Sequence, residues 1–137
     1  MIQKSVFLSC SIEEAFKRFT ERVSEWWPPT HRPSKDPESS LYLEEGGRFW
    51  ERARDGREAE LGRVLSWEPP NRLRIDFYIG SGPEKPTDLE VMFAAEDGGT
   101  RVRIHHRSKA GSEDIWTLRA PVFDRSWDAV LAAFANR

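Results

Sequence analysis

Only one cysteine, Cys10, occurs among the 137 residues, so no disulfide can close within the chain and stability must come from a packed core. At this length roughly two-thirds of the unfolded chain's surface is buried on folding. Such a core is sufficient, and one domain over residues 1–137 is expected. A lone thiol suits a reducing cytoplasm. The histidines His31, His105 and His106 are scattered, show no zinc-like spacing, and give no reason to expect a metal. No phosphate loop or other cofactor motif is visible. Met1–Ser5 lacks the apolar run of a signal peptide. No stretch approaches the ~20 apolar residues of a membrane span. Neither sign of charge prevails: 21 Lys and Arg stand against 23 Asp and Glu. Nucleic-acid surfaces concentrate their cations on one face, so nucleic acid is excluded as an expected partner. What the chain has in quantity is tryptophan. Six indoles promise a large aromatic core, a pocket, or both.

The centre of the chain is the stretch Gly62–Tyr78, two runs rich in Val, Leu, Ile and Phe around Pro69-Pro70-Asn71. Proline has no amide hydrogen for a sheet ladder, so the pair ends one strand and sets the turn into the next. Ahead of it, Ile2–Ser9 reads as a strand. Ser11-Ile12-Glu13-Glu14 then forms a capping-box pattern, and Ile12, Ala15, Phe16, Phe19 and Val23 recur at helical spacing. Trp26-Trp27-Pro28-Pro29 stops that helix, after a short second turn near Ser24–Trp26. Pro28–Ser40, with prolines throughout and no apolar periodicity, reads as loop. Leu41–Glu44 and Arg48–Arg52 form a hairpin over Glu45-Gly46-Gly47, and Asp55-Gly56 turns into a strand over 59–68. Past the mobile-looking Gly80–Pro86 segment, Asp88–Ala95 and Thr100–Arg107 alternate. Val102, Ile104 and His106 are placed inward, and Arg101, Arg103, His105 and Arg107 outward. Ser112–Arg119 reads as helical with Ile115 and Leu118 inward, interrupted or restarted by Pro121. Phe123, Trp127, Val130, Leu131 and Phe134 then mark the strongest amphipathic helix, Pro121–Ala135. Strand, helix, many antiparallel strands, helix is an α+β order.

Several of these pieces together resemble the START-like (SRPBCC superfamily) helix-grip domains, in the branch similar to the activator of heat shock protein 90 ATPase. They are Ser11–Phe16, Trp26-Trp27-Pro28, Gly46–Arg52, Asp55-Gly56, Gly62–Leu73, Gly99–Val102 and His106-Arg107, in order along nearly all of the chain. The resemblance implies a curved antiparallel sheet wrapped around a long C-terminal helix, short helices after the first strand, and a cavity between sheet and helix. Lys109–Arg119 matches no pattern of the branch, and no counterpart of the eukaryotic activators' separate N-terminal domain is expected. The fold implies no chemistry, because it hosts binding proteins and enzymes alike.

Candidate residues carry a plain and a functional reading side by side. Trp26 and Trp27 plug one end of the core, or one of them walls a cavity. Neighbours on a helix point apart, so at most one should line a pocket. His106 is a hydrogen-bonded core imidazole, or the acid–base group of an enzyme. Glu51 and Glu60, on adjacent strands, are surface charges paired with Arg52, Arg54 and Arg63, or they approach each other or His106. Phe49, Phe77, Phe93, Phe123 and Trp127 are core and cavity wall at once. Cys10, beside a helix N-terminus, is expected to be slightly acidified.

The leading expectation is a cytoplasmic, bacterial domain that binds a small apolar or amphipathic ligand. The cavity candidates are Trp26, Trp27, Phe49, Glu51, Phe77, Phe93, His106, Phe123 and Trp127, and no residue is assigned to catalysis. A dry, narrow pocket, with an accessible cavity below ~100 Å³ against the several hundred usual for ligand sites, would sink this reading. The alternatives are a cyclase- or dehydratase-like enzyme using His106, and a chaperone-binding module acting through the outer sheet face. The chain is expected to be a monomer or a homodimer.

Overall fold

The computed structural model describes residues 1–136. In chain order the elements are β1 (Ile2–Leu8), α1 (Ile12–Thr20), α2 (Val23–Trp26), β2 (Ser40–Leu43) and β3 (Arg48–Arg52). There follow β4 (Glu58–Glu68), β5 (Arg72–Phe77), β6 (Thr87–Glu96), β7 (Gly99–Arg107) and α3 (Glu113–Ala135), with a 3-10 turn at Pro29–His31. The strands form one sheet in the order β1-β7-β6-β5-β4-β3-β2, every neighbouring pair antiparallel. The sheet curls into a half-barrel and α3 lies in its concave side, which is the helix-grip arrangement. Register shifts between Phe49 and Trp50 and between Val64 and Ser66 supply local bends in the middle strands. The Pro69–Pro70 peptide in the β4–β5 turn is cis.

The apolar stripe of α3 is buried as its spacing predicts: Phe123, Trp127, Val130, Leu131 and Phe134 all face the core. Phe134 meets Phe19 of α1 and Trp26 of α2 at ring separations of 5.3 and 4.7 Å. Trp127 lies over Phe77 at 5.7 Å. Leu73, Ile75 and Phe77 of β5 are likewise buried. The hydroxyl of Ser11 accepts from the Glu14 amide and caps α1. Glu14 does not complete the capping box, because its carboxylate pairs with Arg22.

Three expectations need correction. The C-terminal helix is continuous through Pro121 and starts two turns before it. Thr117 and Pro121 both lie on the exposed side, so the carbonyl that loses its amide partner faces water and the break is tolerated. With that register Leu118 is 71% exposed rather than inward, and Trp116 packs inward against His106 and Phe123 instead. Secondly, Trp26 and Trp27 both face the core rather than pointing apart, although Trp27 alone of the two lines a pocket. Trp27 follows the last turn of α2 with an extended backbone (φ −61°, ψ 121°), so the rule that helical neighbours point apart no longer applies to it. Thirdly, burial raises the pKa of the Cys10 thiol rather than lowering it.

The Pro28–Ser40 segment is pinned down. Arg32, nearly fully buried, donates to the carbonyls of Ser24 (2.7 Å), Ser39 (2.8 Å) and Trp27 (3.1 Å). Glu51 on β3, also buried, accepts from the Ser34 amide (3.1 Å) and from the hydroxyls of Ser34 (2.6 Å) and Ser39 (2.7 Å). Two buried charges of opposite sign hold the loop, Arg32 tying it mainly to the end of α2 and Glu51 tying it to the sheet.

Candidate functional site

Where β5 ends, the chain leaves the sheet as Tyr78-Ile79-Gly80 and passes under the middle of α3. A narrow cleft of about 60 Å³ remains there. Its walls are the rings of Trp27, Phe77, Phe123 and Trp127, with Ile79, Val122 and Val130 between them. Its mouth carries His31, Gly80, Arg119 and Ser126, which it shares with a wider groove of about 490 Å³ running beneath the Pro28–Ser40 loop. The helix supplies its side through positions 119, 122, 123, 126, 127 and 130, one face of α3 at helical spacing. Gly80, at φ +81°, permits the close approach. A Cβ at that position would stand 2.9 Å from Cε1 of Phe123 and 3.3 Å from Nη2 of Arg119.

His106 lies behind this cleft, not in it. It is fully buried and ringed by Phe77, Trp116, Phe123 and Trp127. The indole Nε1 of Trp127 donates to Nδ1 at 3.0 Å. An indole nitrogen can only donate, so Nδ1 carries no proton and the neutral ring has its hydrogen on Nε2. That hydrogen goes to the Thr87 hydroxyl (2.7 Å), which in turn donates to the Phe77 carbonyl (3.2 Å). Burial pushes the imidazole pKa down to about 3, against a weaker upward pull from Asp88. Each nitrogen is occupied, and no lone pair is left for a substrate.

Of the cavity candidates, the cleft brings together Trp27, Phe77, Phe123 and Trp127. The others are placed elsewhere. Trp26 packs at a tilt against Phe19 and Phe134 and donates to the Arg18 carbonyl. Phe93 packs edge-on against Phe16 and Phe19, deep under α1. Phe49 supports Trp27 from behind. Glu51 serves the loop, and Glu60 does not approach it: Ala59 stands opposite Glu51 and Trp50 opposite Glu60, so alternate pointing separates the two carboxylates. Glu60 sits on the outer rim of the groove, 3.9 Å from both Arg48 and Arg63. His105 is half-buried on the outer sheet face.

The residues that sequence reasoning missed are those at the mouth. His31 lies in a loop without periodicity, and Arg119 ends a stretch that reads as helical with its inward face misplaced at Leu118. The one available signal was spacing, since Arg119 is four residues before Phe123. Burial, and then Lys35, lower the pKa of His31, so the ring at the mouth is neutral near pH 7. Its Nδ1 is 2.9 Å from the Thr30 hydroxyl. Among the described residues no group of three or more His, Cys, Asp or Glu side chains could hold a metal ion, and no helix is long and apolar enough to cross a membrane.

Comparison with known proteins adds the following. The family described as Activator of Hsp90 ATPase homolog 1-like protein matches residues 9–136. No curated protein matches the chain. Among solved structures, an anthrahydroquino-γ-pyrone synthase, Txn09, is 30% identical, with a TM-score of 0.61 over 98% of this chain and 94% of that one. CalC from Micromonospora echinospora, a self-sacrificing resistance protein, is 25% identical, with a TM-score of 0.75 over 98% and 91%. The Aha1 dimer from Colwellia psychrerythraea shares the fold at 16% identity, with a TM-score of 0.67 over 98% and 91%.

Proposed function

The chain belongs to the family described as Activator of Hsp90 ATPase homolog 1-like protein, and we propose that it is a one-domain binder of a small aromatic ligand. The observation that carries this reading is the aromatic cleft itself. In a core otherwise filled by side chains, the rings of Trp27, Phe77, Phe123 and Trp127 leave a gap that opens outward. At about 60 Å³ the space between sheet and helix cannot enclose a ligand; the expectation of a ligand held wholly inside the fold, which fails below ~100 Å³, is corrected to one of a ligand held at the opening. The ligand therefore enters the cleft by its apolar end and lies with its body in the 490 Å³ groove, within the several hundred Å³ usual for such sites. The 30% identity to a synthase named for a polycyclic aromatic product supports an aromatic ligand. The single, unpaired Cys10 suits the cytoplasm.

Native mass spectrometry of freshly purified protein, together with calorimetric titration by the neutral probe 2-naphthamide, tests this. A co-purifying small molecule, or probe binding that Val122→Trp abolishes by filling the mouth, is expected. No co-purifying molecule and no probe binding in the wild type would sink the reading.

The likeness to a synthase also favours a second reading, catalysis at the same cleft. His106 cannot be its base, for the reasons above, whereas the neutral ring of His31 stands at the mouth. Turnover of a bound aromatic substrate that His31→Gln removes while leaving binding intact would establish it. The chaperone-activator reading finds less support. On the outer sheet face Arg74 and Arg107 pair with Asp88, Arg72 and Arg107 with Glu90, and Arg101 and Arg103 with Glu96. Each of those five arginines is thereby engaged by a carboxylate of its own face, which leaves fewer free cations there to meet a partner.

A further inference from the structure

Arg119 stands out among the basic residues near the cleft. Arg32 is committed to three backbone carbonyls. Lys35 donates to the Thr30 carbonyl. Arg48 and Arg63 face Glu60 across the rim. Arg119 lines both the cleft and the groove, and no carboxylate among the described residues lies within salt-bridge distance of it. Its Nε is buried and has no hydrogen-bond partner. The guanidinium rests against Gly80, where any side chain would crowd it: a Cβ there would be 3.3 Å from Nη2. A buried N–H of a charged group without an acceptor is a costly thing to keep. Here it belongs to a side chain that lines both the cleft and the groove.

Resting on the binding function proposed above, we infer that Arg119 is an anion-recognition residue and that the ligand is an aromatic carboxylate. Its ring lies among Trp27, Phe77, Phe123 and Trp127, and its carboxylate takes the guanidinium in a forked, two-bond contact. A planar guanidinium matches a carboxylate in this way, whereas a lysine ammonium offers only a point charge. Ser126, two helical turns after Arg119 on the same face, adds a hydroxyl donor beside it. Glu60 at the far rim disfavours an anion placed deeper under the loop, so the carboxylate sits on the α3 side of the mouth.

The test compares 2-naphthoate with its neutral counterpart 2-naphthamide by calorimetry, using wild type, Arg119→Gln and Arg119→Lys. The wild type is expected to prefer naphthoate. Arg119→Gln should weaken naphthoate by about tenfold or more, the scale of a lost charge-assisted contact, and leave naphthamide within about twofold. Arg119→Lys, which keeps the charge without the fork, should recover part of the loss, and naphthamide binding certifies that each variant is folded. If Arg119→Gln does not fold, a severalfold loss for naphthoate alone in Arg119→Lys carries the same conclusion. Equal binding of both probes by the wild type, unchanged in either variant, would overturn the anion inference while leaving the cleft as a binding site. Failure of both probes to bind the wild type would overturn the proposed function and this inference with it.

Discussion

At the scale of single residues, two buried polar side chains carry consequences that a surface position would not. His106 stays neutral in the folded chain down to about pH 3, whereas in the unfolded chain it takes up a proton near 6.5. Between those values the unfolded state binds more protons, so stability falls as the pH drops, by about 1.4 kcal/mol per pH unit. His106→Gln should be less stable at pH 7 by about 1–3 kcal/mol, because the Trp127–imidazole–Thr87 chain is disturbed. From pH 7 to 5, urea unfolding should show the wild type losing about 2 kcal/mol more than the variant. Equal losses would mean that the imidazole is not held neutral. Glu51 makes a different prediction. Its removal in Glu51→Ala leaves the Ser34 amide and two hydroxyls without their acceptor, at a cost of about 2–3 kcal/mol. Faster amide exchange across Ser34–Ser39 should accompany it. Glu51→Gln keeps the shape and an acceptor oxygen, and should lose less than half as much in the same unfolding experiment.

At the scale of elements, the β4–β5 pair shows what was legible and what was not. The prolines, the turn and both strands are readable, because alternation and a missing amide hydrogen are local properties. That Gly62 lets the strands approach closely is not local. A Cβ there would lie 2.5 Å from the Asp76 carbonyl oxygen and 3.0 Å from Cγ2 of Ile75. Gly62→Ala should therefore destabilise by about 2 kcal/mol or more through displaced backbone, measured as a lower denaturation midpoint at unchanged slope. A cost under about 0.5 kcal/mol would show that the pair shifts freely. Helix α3 gives the converse lesson. Its buried stripe is read correctly from spacing, while Pro121 is misread as a break, since the cost of a helical proline depends on which side of the helix meets water.

At the scale of the whole molecule, the cleft is where three separated segments meet: Trp27–His31, Phe77–Gly80 and the middle of α3. A ligand in it ties loop, sheet and helix together, and should raise the stability of all three at once. At a concentration 100 times Kd the gain is about 2.7 kcal/mol. A thermal-shift series with 2-naphthamide should show it. Gly80→Ala aims at the same junction, because its Cβ would stand 2.9 Å from the Phe123 ring. Binding of 2-naphthamide should weaken severalfold as that ring moves into the cleft, which calorimetry would read. Unchanged affinity would place the ligand elsewhere.

Legible in the chain alone were the order of elements, the inward residues of β5, β6 and β7, and the stripe Phe123–Phe134 of the last helix. These follow from periods of two and 3.6 residues and from turn chemistry acting over a few positions. Of the nine cavity candidates named from sequence, only Trp27, Phe77, Phe123 and Trp127 come together at one cleft. Only the tertiary structure decided that His106 is sealed behind them, that Glu51 anchors a loop, and that His31 and Arg119 share a mouth. Each depends on which distant segment closes over a side chain. Burial and partner choice, set by that closure, decide whether an imidazole or a carboxylate becomes a core bond or a staple.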